Sequence, residues 1–408
     1  MNFKYIILFA AVALLAVLPW LVSDSLLNAA ILMLIAALFA MAFGLLCGQA
    51  GMLSFGHAAY FGVGAFASVH AMNAFDGEGL LPTPLLPLVG AATGLVSGIL
   101  AGYFSTKRTG VYFSMITLAL AELLHALAPH LKHVFGGEAG ISSFRMPAWG
   151  IEFGSFTDVY YLTLVWTLLS IGLLYLFSKT PLGRLALGLR ENAHRLRFLG
   201  YNTHALSTLI FAVSAMFAGL AGALQSLNIE ASNYVVLESQ ISTAVVLNSF
   251  IGGVRVFLGP AIGAAVMTFF GYISSDLTRV WLLYQGIIFV LVMMFLPRGI
   301  VGEIAERIKN PSCDGLAQTA ITMAQRIASL AIAAFGAVFV IEFLQRVLST
   351  EYRAVARDGH WPDITLFTYD WSPVSAVPWG LGIGVFALGI RLAIIVNRRA
   401  AARQEAQA

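Results

Sequence analysis

The sequence predicts an all-α fold, a polytopic bundle of about 10–12 membrane-spanning helices, some of them broken by glycine. Three observations predict it. Hydrophobic residues make up 59% of the 408-residue chain and charged residues only 11%, where a soluble domain carries about a quarter charged. Apolar runs of span length recur along the chain, and such runs must be helical because hydrocarbon offers the backbone no hydrogen-bond partner. Basic residues gather in alternate connections, as in multi-pass proteins.

The runs fall near residues 5–22, 26–46, 52–72, 84–105, 110–132, 158–178, 205–228, 237–257, 259–277, 280–297, 326–348 and 378–397. The first is too long for the apolar core of a signal peptide and is expected to be retained as a span. With the N-terminus inside, most of the 23 Lys and Arg fall on the cytoplasmic side, among them Lys107, Arg108, Lys179, Arg184, Arg190, Arg195, Arg197, Arg298, Arg307, Lys309, Arg398 and Arg399. Asp76, Glu78, Glu138, Glu152, Asp158, Asp358, Asp363 and Asp370 collect opposite. This bias predicts both termini inside. Cys47 and Cys313 are too few and too far apart for a disulfide framework. No His/Cys/Asp/Glu cluster has metal-ligand spacing, so no metal site is expected, and no GxxxxGK[ST] stretch offers a P-loop for ATP.

Residues 179–204 then form a cytoplasmic loop. Pro181 ends the preceding helix. Arg184 to Leu199 reads as a single helix with Gly200 at its C-terminal cap. Leu185, Leu189, Leu196 and Leu199 can share its apolar face, with arginines around the rest. Two readings stay open: an interfacial helix resting on anionic lipid, or a helix gripped by a cytoplasmic partner. A nucleic-acid partner is not expected, because the membrane anchors both ends.

Polar residues at membrane depth are the next candidates. Glu122 sits mid-span in 110–132, and a carboxylate there is expected to face the interior. His125, one turn on, is placed to pair with it. Ser54, His57, Asn228 and Asn248 are further candidates to line a path, each also readable as an interhelical hydrogen-bond tie. The glycines at 51, 56 and 62 and at 252, 253 and 259 form one broken segment in each half. They either let helices pack closely or interrupt helices around a pathway, as in repeat-built transporters, which makes an inverted repeat possible.

Several stretches carry a family resemblance: Arg190-Glu191-Asn192 through Gly200-Tyr201-Asn202, Gly48 to Ala59, Phe217 to Leu224, Ile251-Gly252-Gly253 with Gly259 to Ala264, and Pro297-Arg298-Gly299. In this order they resemble the permeases of branched-chain amino acid ABC importers. The resemblance implies a multi-pass subunit of the bacterial cytoplasmic (inner) membrane. It implies that Arg190, Glu191, Asn192, Arg195 and Gly200 belong to a coupling loop seated in a cytoplasmic ABC ATPase. ATP and Mg would be used by that partner, with no cofactor bound by this chain and no catalysis on it. The implied partners are the ATPases, a second homologous permease forming a heterodimer, an extracytoplasmic solute-binding protein and the lipid bilayer. Urea or short-chain amides are the alternative substrates. The alternative function is a proton-coupled secondary carrier working through Glu122. Arg195 and Leu196 stand where the family has small residues, and Arg255 stands where it often has glycine. The outer loop Gly136 to Ile141 resembles the family's glycine-rich loop.

The resemblance ends near residue 302, giving a core at 1–302. An amphipathic linker is expected at 303–325, lying on the cytoplasmic face. A two-span extension at 326–408 completes the chain, with an outside loop at 349–377 rich in Trp, Asp and Pro.

Overall fold

The computed structural model describes residues 12–75, 81–296, 298–309, 316–356, 361–366 and 369–407. The start of the first expected span at 5–11 lies outside them, as do Asp76, Glu78, Pro297, Cys313, Asp358 and His360. Two compact units result, Met1–Glu306 and Arg307–Ala408.

In the larger unit, α1 (Asp24–Gly44) runs on through a π-helical turn at Leu45–Gln49. It is followed by α2 (His57–Phe75), α3 (Pro87–Ser105), α4 (Val111–Leu127) and the short α5 (Lys132–Phe135). Next come α6 (Phe156–Lys179), the loop helix α7 (Pro181–Phe198) and α8 (Thr203–Ile229). The last are α9 (Ser239–Gly252), α10 (Gly259–Leu277) and α11 (Trp281–Phe295), and α12 (Ile300–Lys309) runs across the boundary at Glu306.

Among the described residues, six helices are long and apolar enough to cross a membrane, four of them in this unit, and Val111–Leu127 and Trp281–Met294 are shorter apolar helices. The expected spans at 52–72 and 237–257 are shorter than their apolar runs. Residues 51–56 are not helical, and α9 stops after 14 residues at Gly252. At both places a glycine takes a positive φ, +72° at Gly51 and +107° at Gly253, a region closed to most other side chains.

The helices α1–α4 are matched by α8–α11. The third helix of each half packs on the first helix of the other, α3 on α8 and α10 on α1, and the second helices repeat the exchange. Helices α1 and α8 run antiparallel: Asn28 and Asn228 meet at one end, while Ser214 on α8 donates to Ala42 of α1 toward the other. This is the packing of an inverted repeat.

Small residues set how close the layers come. Gly90, Gly94, Gly98 and Gly102 recur every fourth residue and so line one face of α3. They meet Gly219, Ala215, Ala212 and Phe211 of α8. Gly64 of α2 meets Gly219 from the other side. Lipid supplies no hydrophobic force between helices, so this close van der Waals approach is what holds them. The core that results is built on α1 and α8, with Phe43, Phe211, Leu38 and Ile210 fully buried.

The smaller unit pairs α13 (Leu316–Leu348) with α15 (Ala376–Gln407). Gly336, Gly382 and Gly389 carry that contact. Between them lie α14 (Thr350–Val355) and an antiparallel hairpin, β1 (Ile364–Leu366) with β2 (Tyr369–Trp371). Of the expected linker at 303–325, residues 310–315 lie outside the described residues, while 303–309 belong to amphipathic α12 and 316–325 to the first turns of the helix that carries the span. Ala331–Leu348 is its apolar part.

Candidate functional site

The broken segment at 51–58 leaves backbone groups that hydrocarbon cannot satisfy. Neighbouring helices, and Ser54 of the segment itself, satisfy several of them. Ser114 Oγ donates to Leu53 O at 2.6 Å, Phe55 N donates to Thr117 Oγ1, Gly56 N to Ser54 Oγ, and Ala58 N to Ser242 Oγ at 2.8 Å. Gly56 lies against the Thr117 backbone, where a Cβ has no room. The space beside Gly62 is filled by the Leu237 side chain. Ser114, Thr117 and Ser242 were not singled out in the sequence, because a lone hydroxyl in an apolar run has no periodic signal.

His57 opens α2 and is 1% exposed. Ser214 spends its one hydrogen on Ala42 O, so His57 Nε2 carries the hydrogen and donates to Ser214 Oγ at 2.9 Å. The imidazole is enclosed by Phe39, Phe43, Tyr60 and Phe211. It ties α1, α2 and α8 at their crossing.

The other path candidates are dispersed. Asn228 bonds Asn28 between the ends of α8 and α1, and Asn248 accepts from Gln285 of α11 at 3.2 Å. Glu122 departs from its expected place. It is exposed, in line with Tyr112, Met115, Leu118 and Ala119 on the face of α4 that turns away from the bundle. The buried face of α4 is taken by Phe113, Ser114, Thr117 and Ala121, which hold the broken segment. His125 faces the Tyr234 ring rather than Glu122.

The loop helix α7 starts earlier than its charge pattern indicates. Thr180 caps it by accepting from Gly183 N, and Pro181 occupies the first turn, where its missing N–H costs nothing. A single helix from Arg184 to Leu199 was expected, but the backbone breaks at Asn192, with φ −162° and ψ 93°. Asn192 Oδ1 then caps the second segment by accepting from Arg195 N at 3.0 Å. Asparagine competes for the backbone in this way, and the apolar periodicity hid it. Gly200 does end the helix, at φ +87°, and Tyr201 N donates back to Leu196 O at 3.0 Å, the bond of a Schellman cap.

The two segments face different ways. Arg190 Nη1 donates to Gly48 O at 2.5 Å, and its side chain packs on Gly51, so the first segment is tied to the end of α1. In the second, Leu196 is buried against Gly188, while Leu199 departs from the expected shared face and is exposed. Phe198 is 93% exposed, Leu199 66% and Tyr201 47%. Glu191, Asn192 and Arg195 are exposed beside them. Beyond α1, Gly252, Gly253, Gly259 and Gly299 interlock backbone against backbone, which fixes the turn from α9 into α10.

At the opposite end, Arg145 is the keystone. It donates to Leu227 O at 2.7 Å, to Asn228 O and to Phe153 O, and pairs with Glu230 at 3.4 Å. It thereby answers the orphan carbonyls that end α8. Gly136, Gly137 and Gly140 all take positive φ in the loop that leads there. Residues Ile141–Ser142 pair antiparallel with Ala231–Ser232.

Buried, glycine-seamed helices and a capped loop helix whose tip exposes Phe198, Leu199 and Tyr201 define a polytopic helical membrane protein. Residues 25–297 match the model of the branched-chain amino acid transport system / permease component family, and the chain belongs to that family. It is 24% identical to the high-affinity branched-chain amino acid transport system permease protein LivM of Salmonella typhimurium, covering 72% of this chain and 74% of that one. The Escherichia coli K12 LivM is also 24% identical, over 71% and 73%. A probable branched-chain amino acid transport permease protein LivH of Methanocaldococcus jannaschii is 24% identical over 63% of this chain and 85% of its own. No solved structure matches.

Proposed function

We propose that this chain is the permease subunit of an ATP-driven importer of branched-chain amino acids or a related small solute, working by alternating access in the bacterial cytoplasmic membrane. The observation that carries the reading is the tip of the loop helix. Phe198, Leu199 and Tyr201 stand in the open beside Arg195 and Arg197, while the same helix is pinned to α1 by Arg190. An apolar cluster held in water by two caps is suited to a protein partner. Cytoplasmic ATPases, using ATP and Mg themselves, would grip this tip. The Arg190–Gly48 bond would pass their motion to the end of α1 and the glycine-locked turn beyond it. No covalent step falls to this chain.

A second, homologous permease would cover the exposed face of α4. A carboxylate facing lipid at membrane depth is costly, and Glu122 escapes that cost against protein or a water-filled path. Its counterpart α11 exposes Leu282, Leu283, Ile287, Val290, Leu291 and Met294, a face suited to lipid. The loop anchored by Arg145 would receive solute from an extracytoplasmic binding protein. The proton-coupled alternative rests on Glu122 alone, since among the described residues no Asp or Glu is buried within the chain.

The test is co-purification of the tagged chain from its native membrane. A soluble ATPase and a second multi-pass chain should accompany it, and Phe198→Ser, Glu191→Arg and Gly200→Pro should each lose the ATPase while inserting normally. A chain that purifies alone and transports after reconstitution alone refutes the proposal. Competition of labelled leucine uptake by urea or acetamide distinguishes the alternative substrates.

A further inference from the structure

Beside the loop helix lies a cavity of about 250 Å³, walled by the end of α1, the end of α6, α7 and the α9–α10 turn. Three cationic side chains, Lys179, Arg190 and Arg255, line it, and among the described residues no Asp or Glu does. Arg190 spends one N–H on Gly48 O, and Lys179 lies 5.0 Å over the Tyr175 ring, which leaves most of their donors unused. Gln49 also lines the cavity, and its Oε1 is buried with no hydrogen-bond partner. Turning that amide over presents an N–H donor instead. The remaining wall is apolar, with Met41, Leu174 and Phe257.

We infer that this cavity is a phosphate site, filled by the headgroup of an anionic inner-leaflet lipid whose chains follow the apolar wall. Three like charges around one cavity favour an anion, and a phosphate accepts several N–H bonds at once. Lys179 ends a membrane helix and Arg255 lies in the turn between two others, the level at which basic side chains meet lipid phosphates. The inference rests on the proposed orientation, with this face cytoplasmic. Because Arg190 belongs to both the cavity and the loop helix, an occupying phosphate would stiffen the contact between α7 and α1.

Native mass spectrometry of the full chain, released from mixed phosphatidylglycerol and phosphatidylcholine nanodiscs with matched acyl chains, tests it. The wild type should retain phosphatidylglycerol preferentially, and Lys179→Gln/Arg255→Gln should lose about tenfold or more of that preference. Lys107→Gln, in a different loop on the same face, should lose none. Displacement by inorganic phosphate alone would keep the phosphate site and assign it to a soluble anion. Equal retention of both lipids by the wild type, or undiminished preference in the double variant, overturns the inference. Arg255→Gln alone, at an exposed residue, provides the same comparison with little risk to folding, and thermal melting checks each variant. The chain is measured without an ATPase, so loss of lipid preference and loss of ATPase co-purification are separate results. Cysteine accessibility at position 107 checks the orientation independently.

Discussion

Gly219 is where three helices meet, and replacing it with alanine tests the packing directly. A Cβ there would collide with Gly90 O and come within 2.9 Å of Gly94 Cα on α3. Both obstacles are backbone, so no side chain can swing aside. Ordinary contact begins near 3.4 Å, so α3 and α8 must part by roughly an ångström, which forfeits a quarter to a half of each contact along the seam. Overpacking of this kind costs about 1–3 kcal/mol. Alanine returns up to about 1 kcal/mol through helix propensity. Because both obstacles are backbone, the overpacking cost falls in the upper part of its range, about 2–3 kcal/mol, so the expected net is a loss of about 1–2 kcal/mol, a drop of a few degrees in melting temperature for a unit of this size. Gly286→Ala in α11 is the control, because a Cβ there meets nothing within 4 Å; it should gain about 0.5–1 kcal/mol. Thermal melting in mild detergent, followed by the loss of the monodisperse gel-filtration peak, reads both. If Gly219→Ala melts at or above the wild type while Gly286→Ala behaves as expected, the close-contact reasoning is wrong.

Other predictions follow from the same geometry. Gly200→Ala should cost about 1–2 kcal/mol from the left-handed backbone alone, since no atom lies within 4 Å of its Cβ position; Gly200→Asn should recover much of it, read as ATPase co-purification. Arg145→Leu leaves the last carbonyls of α8 unanswered and Glu230 with only the backbone N–H of residue 145, and should cost about 2 kcal/mol or more, seen as faster proteolysis within 136–155. Glu122→Gln should leave uptake largely intact if ATP supplies the energy; uptake that loses its pH dependence in this variant would favour proton coupling. Ser214→Ala removes the acceptor of the His57 hydrogen and should lower the melting temperature by a few degrees, whereas Ser275→Ala, at an exposed hydroxyl bonded within its own helix, should not.

Much of the fold was legible in the chain itself. Composition fixed the solvent as lipid, and lipid leaves a helical bundle as the only architecture for these apolar runs. The Gly200 stop and the breaks at Gly51 and Gly253 were readable because a positive φ all but requires glycine. The stripe at 90, 94, 98 and 102 is a four-residue repeat in the chain, but those glycines interrupt no helix, so nothing local marks them as a seam. Which way a polar side chain points was not readable. Glu122 and Thr117 sit on one helix about a turn and a half apart, and only the demand of the broken segment for hydroxyls decided that Thr117 turns in and Glu122 out. Asn192 broke a helix that the leucine spacing drew as continuous, because a side-chain cap is a local bond that periodicity does not record. The Arg145 keystone joins residues more than 80 apart in the chain, and the basic cavity draws on α1, α6, α7 and the α9–α10 turn. Such clusters exist only once helices are packed: one-dimensional spacing determines what each helix must bury, and the packing of one helix against another decides what is left to meet a partner.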